Sequence, residues 1–489
     1  MTSRMYGRWE QPRSAGLMGL TWGVSMAGLG LVVMIMIGFL ITQSITVAAV
    51  LLAVAAIVWT PLVVQRAGRT GWEIATLRTQ YALARRRNET LYRAGRFSRI
   101  PGAARLPGLL ADSKLMEFEA PGGRRFGLIH VRRTNHWTVV LRVIPSAQEL
   151  VDQDRIDAWV EEYGAFLAAQ GRSGDVVAVT SVLESVVDTR LRQRREVARL
   201  IRPDTPDYSR AVMAEAAADT GGSGVRIEAR IALTYRSIGR MRRDQAEQAK
   251  EIGLRLQGAL SQLARAGLPA TPMRAWEVFG LVRTRYDLAA QRDVEAAGAE
   301  VLDTQSWDSA GPISHDDRWD HFVHDGARSV TWEMDAAPLG AVHETALKPL
   351  LEPRPDVPRK RVAVVYRLHS TAESTSIVDS DFKDALASEQ TQQGIASAAA
   401  SLRVANTQAS RQEQARGAGL TRFGVLVTVT DHLGADLPGI EASVQTMSAA
   451  SRLSVRRCYA FQASAFAASL GIGVVLPEHA SISKRVSAS

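Results

Sequence analysis

The chain has 489 residues, 46% of them hydrophobic and 22% charged, which excludes whole-chain disorder and collagen-like or disulfide-scaffold architectures. Its single cysteine, Cys458, can neither close an intrachain disulfide nor build a cysteine zinc centre, so a reducing compartment is expected for the bulk of the chain. The net charge of +9 is concentrated at one end: residues 1–105 hold thirteen arginines against Glu10, Glu73 and Glu89, a net of +10, which leaves −1 for the other 384.

The same end carries the strongest pattern. Between Arg13 and Arg66 there is no Asp, Glu, Lys or Arg. Leu17 to Leu40 and Ile45 to Val64 are apolar runs, each long enough as a helix to cross about 30 Å of hydrocarbon. Only Ile41-Thr42-Gln43-Ser44 joins them, so segment 1–65 reads as an N-terminal stretch plus a transmembrane hairpin of helices 17–40 and 45–64. Arg4, Arg8 and Arg13 precede it and Arg66, Arg69, Arg78 and Arg85-Arg86-Arg87 follow it, which by the positive-inside rule puts both termini in the cytoplasm and the protein in the cell (inner) membrane. The competing readings are a secretory signal peptide, which two spans without a cleavage site fit poorly, and a buried hairpin in a soluble core.

Residues 66–105 hold ten arginines against two glutamates, and Ile74, Leu77, Tyr81 and Ala84 recur at helical spacing. This predicts a basic stalk whose Arg66, Arg69, Arg78, Arg85, Arg86 and Arg87 contact the membrane surface, each worth about 1 kcal/mol beside an anionic leaflet. The bland alternative is a topology signal. Pro101 to Gly108 reads as a linker.

Beyond it the pattern alternates. Strands are predicted at Phe126–Val131, Trp137–Val143, Asp175–Leu183 and Val225–Tyr235, and helices at Asp154–Ala169, Arg190–Leu200, Tyr208–Ala218 and Asp244–Ala266. A further helix opens at Thr271-Pro272. The second half offers strands at Ser329–Met334, Lys360–Leu368, Arg422–Val429 and Ile472–Leu476, and helices at 343–352, 437–450 and 460–469. Segment 373–417, rich in Ala, Ser and Gln, reads as a long, partly exposed helix or a flexible insertion. The fold class is therefore α+β: a two-helix transmembrane hairpin, then two cytosolic subdomains at 106–300 and 301–489, with no repeat legible in the sequence.

Catalytic motifs are missing. No lysine follows a glycine, so there is no P-loop; no Gly-x-Ser-x-Gly elbow occurs; His343-Glu344 lacks the second histidine of a zincin; and there is no dinucleotide fingerprint. No catalytic residue and no cofactor are expected. The segment His315 to Asp325 gathers three histidines and four aspartates, so His315, His321 and His324 are the metal candidates, against a polar loop with Trp319 and Phe322 packed under it. Cys458 reads as a small core residue rather than a nucleophile.

Several motifs coincide with those of a known family. Tyr6-Gly7-x-Trp9-x-x-Pro12-Arg13, Gly68-Arg69-Thr70-Gly71, Leu106-Pro107-Gly108-Leu109-Leu110, Phe126-Gly127-Leu128-Ile129-His130, Trp319-Asp320-His321, Arg359-Lys360-Arg361, Gly419-Leu420-x-Arg422-Phe423-Gly424 and Leu476-Pro477-Glu478-His479 resemble those of actinobacterial two-helix membrane proteins. That family is similar to the PrgI-like inner-membrane subunits of conjugation-like type IV secretion systems. The resemblance implies a non-enzymatic structural subunit, a scaffold for protein–protein interaction that anchors or recruits a separate P-loop secretion ATPase. Its expected partners are membrane lipid, that ATPase, other secretion-complex subunits and further copies of the chain. Direct nucleic-acid binding is not expected, because the soluble region lacks clustered positive charge. The alternatives are a type VII secretion membrane component of the EccE kind and a membrane-anchored metal-dependent hydrolase built on the histidines.

Overall fold

The computed structural model describes residues 22–479 apart from 64, 67–68, 97, 99–101, 103, 147–150, 203, 219–223, 238–243, 337, 339–341, 392–397 and 416–418. Expected span residues 17–21 and 64 thus lie outside the described residues, as does the opening motif at Tyr6 to Arg13.

Two apolar helices come first, α1 (Trp22–Thr42) and α2 (Ile45–Val63). They pack antiparallel through glycine: a Cβ on Gly28 would fall 1.7 Å from the Trp59 ring, and one on Gly38 2.4 Å from Leu51. A two-strand turn, β1 (Gln65–Arg66) and β2 (Arg69–Thr70), then feeds α3 (Gly71–Arg86) and β3 (Leu91–Arg93). Thr70 and Glu73 form a reciprocal capping box that starts α3.

The rest is α+β. Its first half runs β4 (Ser113–Ala120), β5 (Arg124–Val131), β6 (His136–Val143), α4 (Gln153–Arg172), β7 (Val176–Val187), α5 (Leu191–Leu200), α6 (Asp207–Ala218), β8 (Val225–Arg236), α7 (Gln245–Arg265), β9 (Ala270–Pro272) and α8 (Ala275–Tyr286). Helix α9 (Ala290–Asp303) leads into the second half. That half runs β10 (Ser314–Asp317), β11 (Phe322–His324), β12 (Ala327–Ala336), α10 (Lys348–Leu351), β13 (Lys360–Leu368), α11 (Thr371–Thr391), α12 (Ala398–Ala415), β14 (Thr421–His432), α13 (Leu437–Ala450), β15 (Ser454–Arg457), α14 (Gln462–Ser469) and α15 (Leu476–His479).

Among the described residues thirteen strands form one antiparallel sheet, in the order β3-β10-β11-β12-β14-β13-β7-β8-β6-β5-β4, with β15 beside β12 and β9 beside β6. The halves are therefore not separate layers; β7 and β13 join them edge to edge. They are also built alike. In each, a three-strand meander is followed by a helix, a strand, a helical pair and a strand inserted next to the meander; another helix, a short strand on the meander's last member and a closing helix complete it.

The likeness extends to register. Counting from the outermost pairs His136↔Arg236 and Ala327↔His432, the third pair is Thr138↔Thr234 in one half and Ser329↔Thr430 in the other. Both are joined by hydroxyl–hydroxyl hydrogen bonds, at 3.1 and 2.7 Å. At the centre Val182 pairs with Ala363, and each stands sixth from the end of its own ladder, β7–β8 or β13–β14. A pseudo-two-fold axis perpendicular to the sheet thus passes through this pair.

Three apolar clusters cover the sheet. Helices α8 and α14 close one face, where Phe279, Val282, Phe466 and Ile472 pack on Val182, Ala363 and Leu426. On the other face α7 packs Ile252, Leu256, Leu260 and Leu263 over the first half, while Ile440, Val444 and Met447 of α13 cover the second. Asp244 caps α7 by accepting from the Ala246 and Glu247 amides, and Gly267 ends it at φ 71°. A Cβ on Gly267 would lie 2.7 Å from the Trp159 ring, so only glycine permits that contact.

Three expectations need correction. Segment 373–417 is not one long helix but a pair, α11 and α12, tied by Arg411–Asp379 at 2.9 Å and by the Arg411 guanidinium over Phe382. Its sparse apolar residues suffice because the two helices cover each other. Ile472–Leu476 is not a strand; Ile472 to Val475 fill the closing face as irregular chain and Leu476 opens α15, with Gly471 at φ 67° and Gly473 at φ 96°. Thr271-Pro272 lies in β9, and the following helix starts at Ala275.

Candidate functional site

The basic segment expected to stand apart as a stalk is folded onto one edge of the sheet. The helix α3 turns its predicted apolar positions Ile74, Leu77, Tyr81 and Ala84 inward, all half-buried. Three contacts hold the segment. At its start the Arg69 guanidinium donates to Glu333 Oε1 of β12 at 2.9 Å and lies over the Phe461 ring. Glu333 Oε1 also accepts from Arg456 Nε at 2.8 Å, and Arg456 reaches on to Asp335. Midway, the Tyr81 ring meets Trp319 edge-on at 5.4 Å, its hydroxyl donates to the Asp317 carbonyl, and Trp319 stacks on Tyr459. At the far end β3 adds to β10 as the edge strand, pairing His315 with Tyr92 and stacking their rings at 5.3 Å. An aromatic contact of this kind adds about 0.5–1.5 kcal/mol to the area it buries.

The histidine-rich segment is thus the landing surface for this arm. Asp325 (φ 37°) and Gly326 (φ 84°) make the β11–β12 turn, and the Asp325 carboxylate accepts from the Ile313 and Ser314 amides. Although His315 and His324 are cross-strand partners, they are differently engaged. The ring of His324 is fully buried, with Nδ1 2.5 Å from the Tyr286 carbonyl and Nε2 2.8 Å from Ser329 Oγ. His321 turns to Asp320 at 2.8 Å. Among the described residues no three His, Cys, Asp or Glu side chains gather in metal-holding range. His315 and His324 both pack on Phe322 but hold different partners, and His321 lies apart from them.

Electrostatics follow from burial. Desolvation lowers both His315 and His324 to about 4, so both are neutral at pH 7. Asp317, under Tyr81, is pushed up to about 7 by burial, against the Ala463 amide that donates to its carboxylate at 3.0 Å. Burial likewise raises Cys458 well above the ordinary thiol range, an inert core setting.

Of the arginines expected at a membrane surface, Arg69 points instead into the sheet, with a side chain 16% exposed, because Glu333 gives it a buried partner. Arg85 lies 3.7 Å from Asp316 but stays outward, and Arg78, Arg86 and Arg87 are exposed. The side chain of Arg66 lies outside the described residues. The outer face of α3 also presents Trp72, 58% exposed, and Leu83, 50% exposed. Residues Glu333, Arg456, Tyr459 and Phe461 were missing from the sequence reading; they lie hundreds of positions from the arm and carry no local signature.

Among the described residues one segment, Ile45–Leu62, is long and apolar enough to cross a membrane; the apolar part of α1, Met26–Thr42, is shorter. The helical pair exposes most of its large apolar side chains, with Ile41 and Ile45 78% exposed at the tip.

A family defined only as a domain of unknown function, DUF8461, matches residues 13–73, which takes in α1, α2 and the start of α3. No curated protein matches the chain.

Proposed function

We propose that the protein is a non-catalytic membrane-anchored subunit whose sheet domain is held at a fixed attitude to the bilayer by the arm, within an inner-membrane complex of the conjugation-like type IV secretion kind. The observation that carries this is the three-point docking of the arm. A mere tether would be served by a flexible linker, whereas here a salt bridge, an edge-on aromatic contact and an added β-strand immobilise the chain between the apolar helices and the sheet. The exposed apolar pair supplies the membrane segment, and Trp72 and Leu83 among Arg78, Arg85 and Arg86 suit the lipid head-group level. The secretion setting and the P-loop ATPase partner come from the sequence resemblance.

The test is mild-detergent purification of the tagged full-length chain from its host, with mass spectrometry of what accompanies it. Recovery of a type IV secretion ATPase is the expected result. A type VII ATPase would move the protein to an EccE-like role, and recovery of the chain alone after cross-linking would overturn the scaffold reading.

A further inference from the structure

The two-fold-related halves differ sharply at one place on the face closed by α8 and α14. There Glu184 of β7 is ringed by three guanidinium groups: Arg230 Nη1 at 2.8 Å, Arg285 Nε at 2.9 Å and Arg361 Nε at 2.9 Å, all with side chains at most 7% exposed. Arg285 continues to Glu228, and Arg226 to Glu228 and Glu295. Burial alone would raise the Glu184 carboxyl, but the three arginines outweigh it and hold it well below the usual range.

The repeat supplies a control for what the fold requires. Register pairs Glu184 with Val365 as equivalents, Glu228 with Gly424, Arg230 with Leu426, Arg361 with Thr180 and Arg359 with Ala178. At every one of these positions the other half carries an uncharged residue, and Leu426 and Ala178 are buried. The sheet therefore closes without charge there. Buried ion clusters are weak contributors to stability compared with apolar packing, so a cluster found in only one of two copies of a design calls for another reason.

The cluster opens to a narrow cleft walled by Glu184, Arg285, Arg359, Arg361, Thr428 and Thr430. Arg359 is half-buried there, and burial and the neighbouring Arg285 both disfavour its charge. Among the described residues no carboxylate forms an ion pair with it; the nearby Asp431 accepts from its own neighbour His432. The group as a whole sets five guanidinium groups, Arg226, Arg230, Arg285, Arg359 and Arg361, against Glu184, Glu228, Glu295 and Asp188. Of the five, Arg359 alone makes no ion pair among the described residues, and it lies at the mouth, with Asp431 acting on its charge from beyond contact. The planar guanidinium binds carboxylate and phosphate oxygens through paired N–H donors. We propose that the mouth of this cleft is an oxyanion-binding site, where Arg359 takes a carboxylate or phosphate group from the solvent side.

The test uses the full-length protein in detergent, with inorganic phosphate and acetate as separate probes against chloride at equal ionic strength. Calorimetry and thermal denaturation are the readouts. Binding raises the midpoint in proportion to saturation, and Arg359→Gln is expected to weaken it at least tenfold while leaving the unliganded midpoint unchanged or higher, since an unpaired half-buried cation is removed. A response to phosphate alone assigns a phosphate ligand and a response to acetate alone a carboxylate, each supporting the site. No response of the wild-type protein to either, or equal binding by Arg359→Gln, overturns it; the wild-type arm decides even where the variant does not fold.

Discussion

Arg69 and Glu333 stand 264 residues apart in the chain and 2.9 Å apart in the fold, and this contact fixes where the apolar helices leave the sheet. Glu333 accepts from two guanidinium groups, Arg69 and Arg456, at once. Replacing it by Gln removes the charge, leaving Arg69 without its carboxylate partner and Arg456 with Asp335 alone, at a cost of about 1–3 kcal/mol. Because Arg69 is the entry point of the arm, the loss is expected to be local. Hydrogen exchange in full-length Glu333→Gln should speed up by roughly ten- to a hundredfold across residues 71–86, with β13 and β14 unchanged. Uniform acceleration throughout would mean that Glu333 supports the sheet and not the arm.

If α3 lies at the head-group level, the exposed Trp72 is its deepest outward side chain. A spin label at Trp72→Cys in nanodiscs is expected to be relaxed more by oxygen than by a water-soluble nickel complex, with the order reversed at Arg87→Cys. Native Cys458 is fully buried and does not compete for label. Water-like accessibility at position 72 would detach α3 from the bilayer.

The local elements were legible in the sequence to the extent that their signals are local. The α7 stripe of Ile252, Leu256, Leu260 and Leu263 is buried as its spacing predicts, and Ile74, Leu77, Tyr81 and Ala84 face inward. The short strands β3, β9, β10, β11 and β15 were not legible, since three or four residues paired to a neighbour need no period of their own. Nor was the internal repeat. It is kept in register and topology, while equivalent positions hold different residues, as Glu184 and Val365 do; backbone pairing tolerates such exchange. The histidine cluster shows a related limit: spacing along the chain cannot tell ligands that converge from histidines committed to separate partners. His315 and His324 share a face as cross-strand partners, yet one stacks on Tyr92 and the other is bonded to Tyr286 and Ser329, while His321 turns to Asp320.

The stability of the fold should depend on pH through Asp317. Its carboxyl titrates near 7 in the fold, against the ordinary 3.8 when unfolded. Between those values the folded form holds a proton that the unfolded form has lost, so this group's contribution to stability declines as pH rises from about 4 to 7 and stays low above. The buried His315 and His324, both lowered to about 4, work in the opposite direction, removing stability as pH falls from 6.5 towards 4. Asp317→Asn stays neutral and can still accept from the Ala463 amide. Its melting temperature relative to wild type should therefore be higher at pH 8 than at pH 5, and a difference that does not vary with pH would show that Asp317 ionises normally.

The two hydroxyl pairs related by the pseudo-two-fold should not be equal in energy. Thr138 and Thr234 bond to each other, so changing both to Val removes donor and acceptor together at constant shape and is expected to be nearly neutral. Ser329 joins two partners, Thr430 Oγ1 at 2.7 Å and His324 Nε2 at 2.8 Å, and the other ring nitrogen of His324 is committed to the Tyr286 carbonyl. Ser329→Ala therefore strands a fully buried imidazole nitrogen, at a cost of about 1–3 kcal/mol. Thermal denaturation of the full-length variants in one detergent provides the comparison, with Ser329→Ala expected several degrees below the Thr138→Val, Thr234→Val double variant. Equal losses would mean that His324 finds another partner and that the strand carrying it, β11, is not pinned to β12 through this serine.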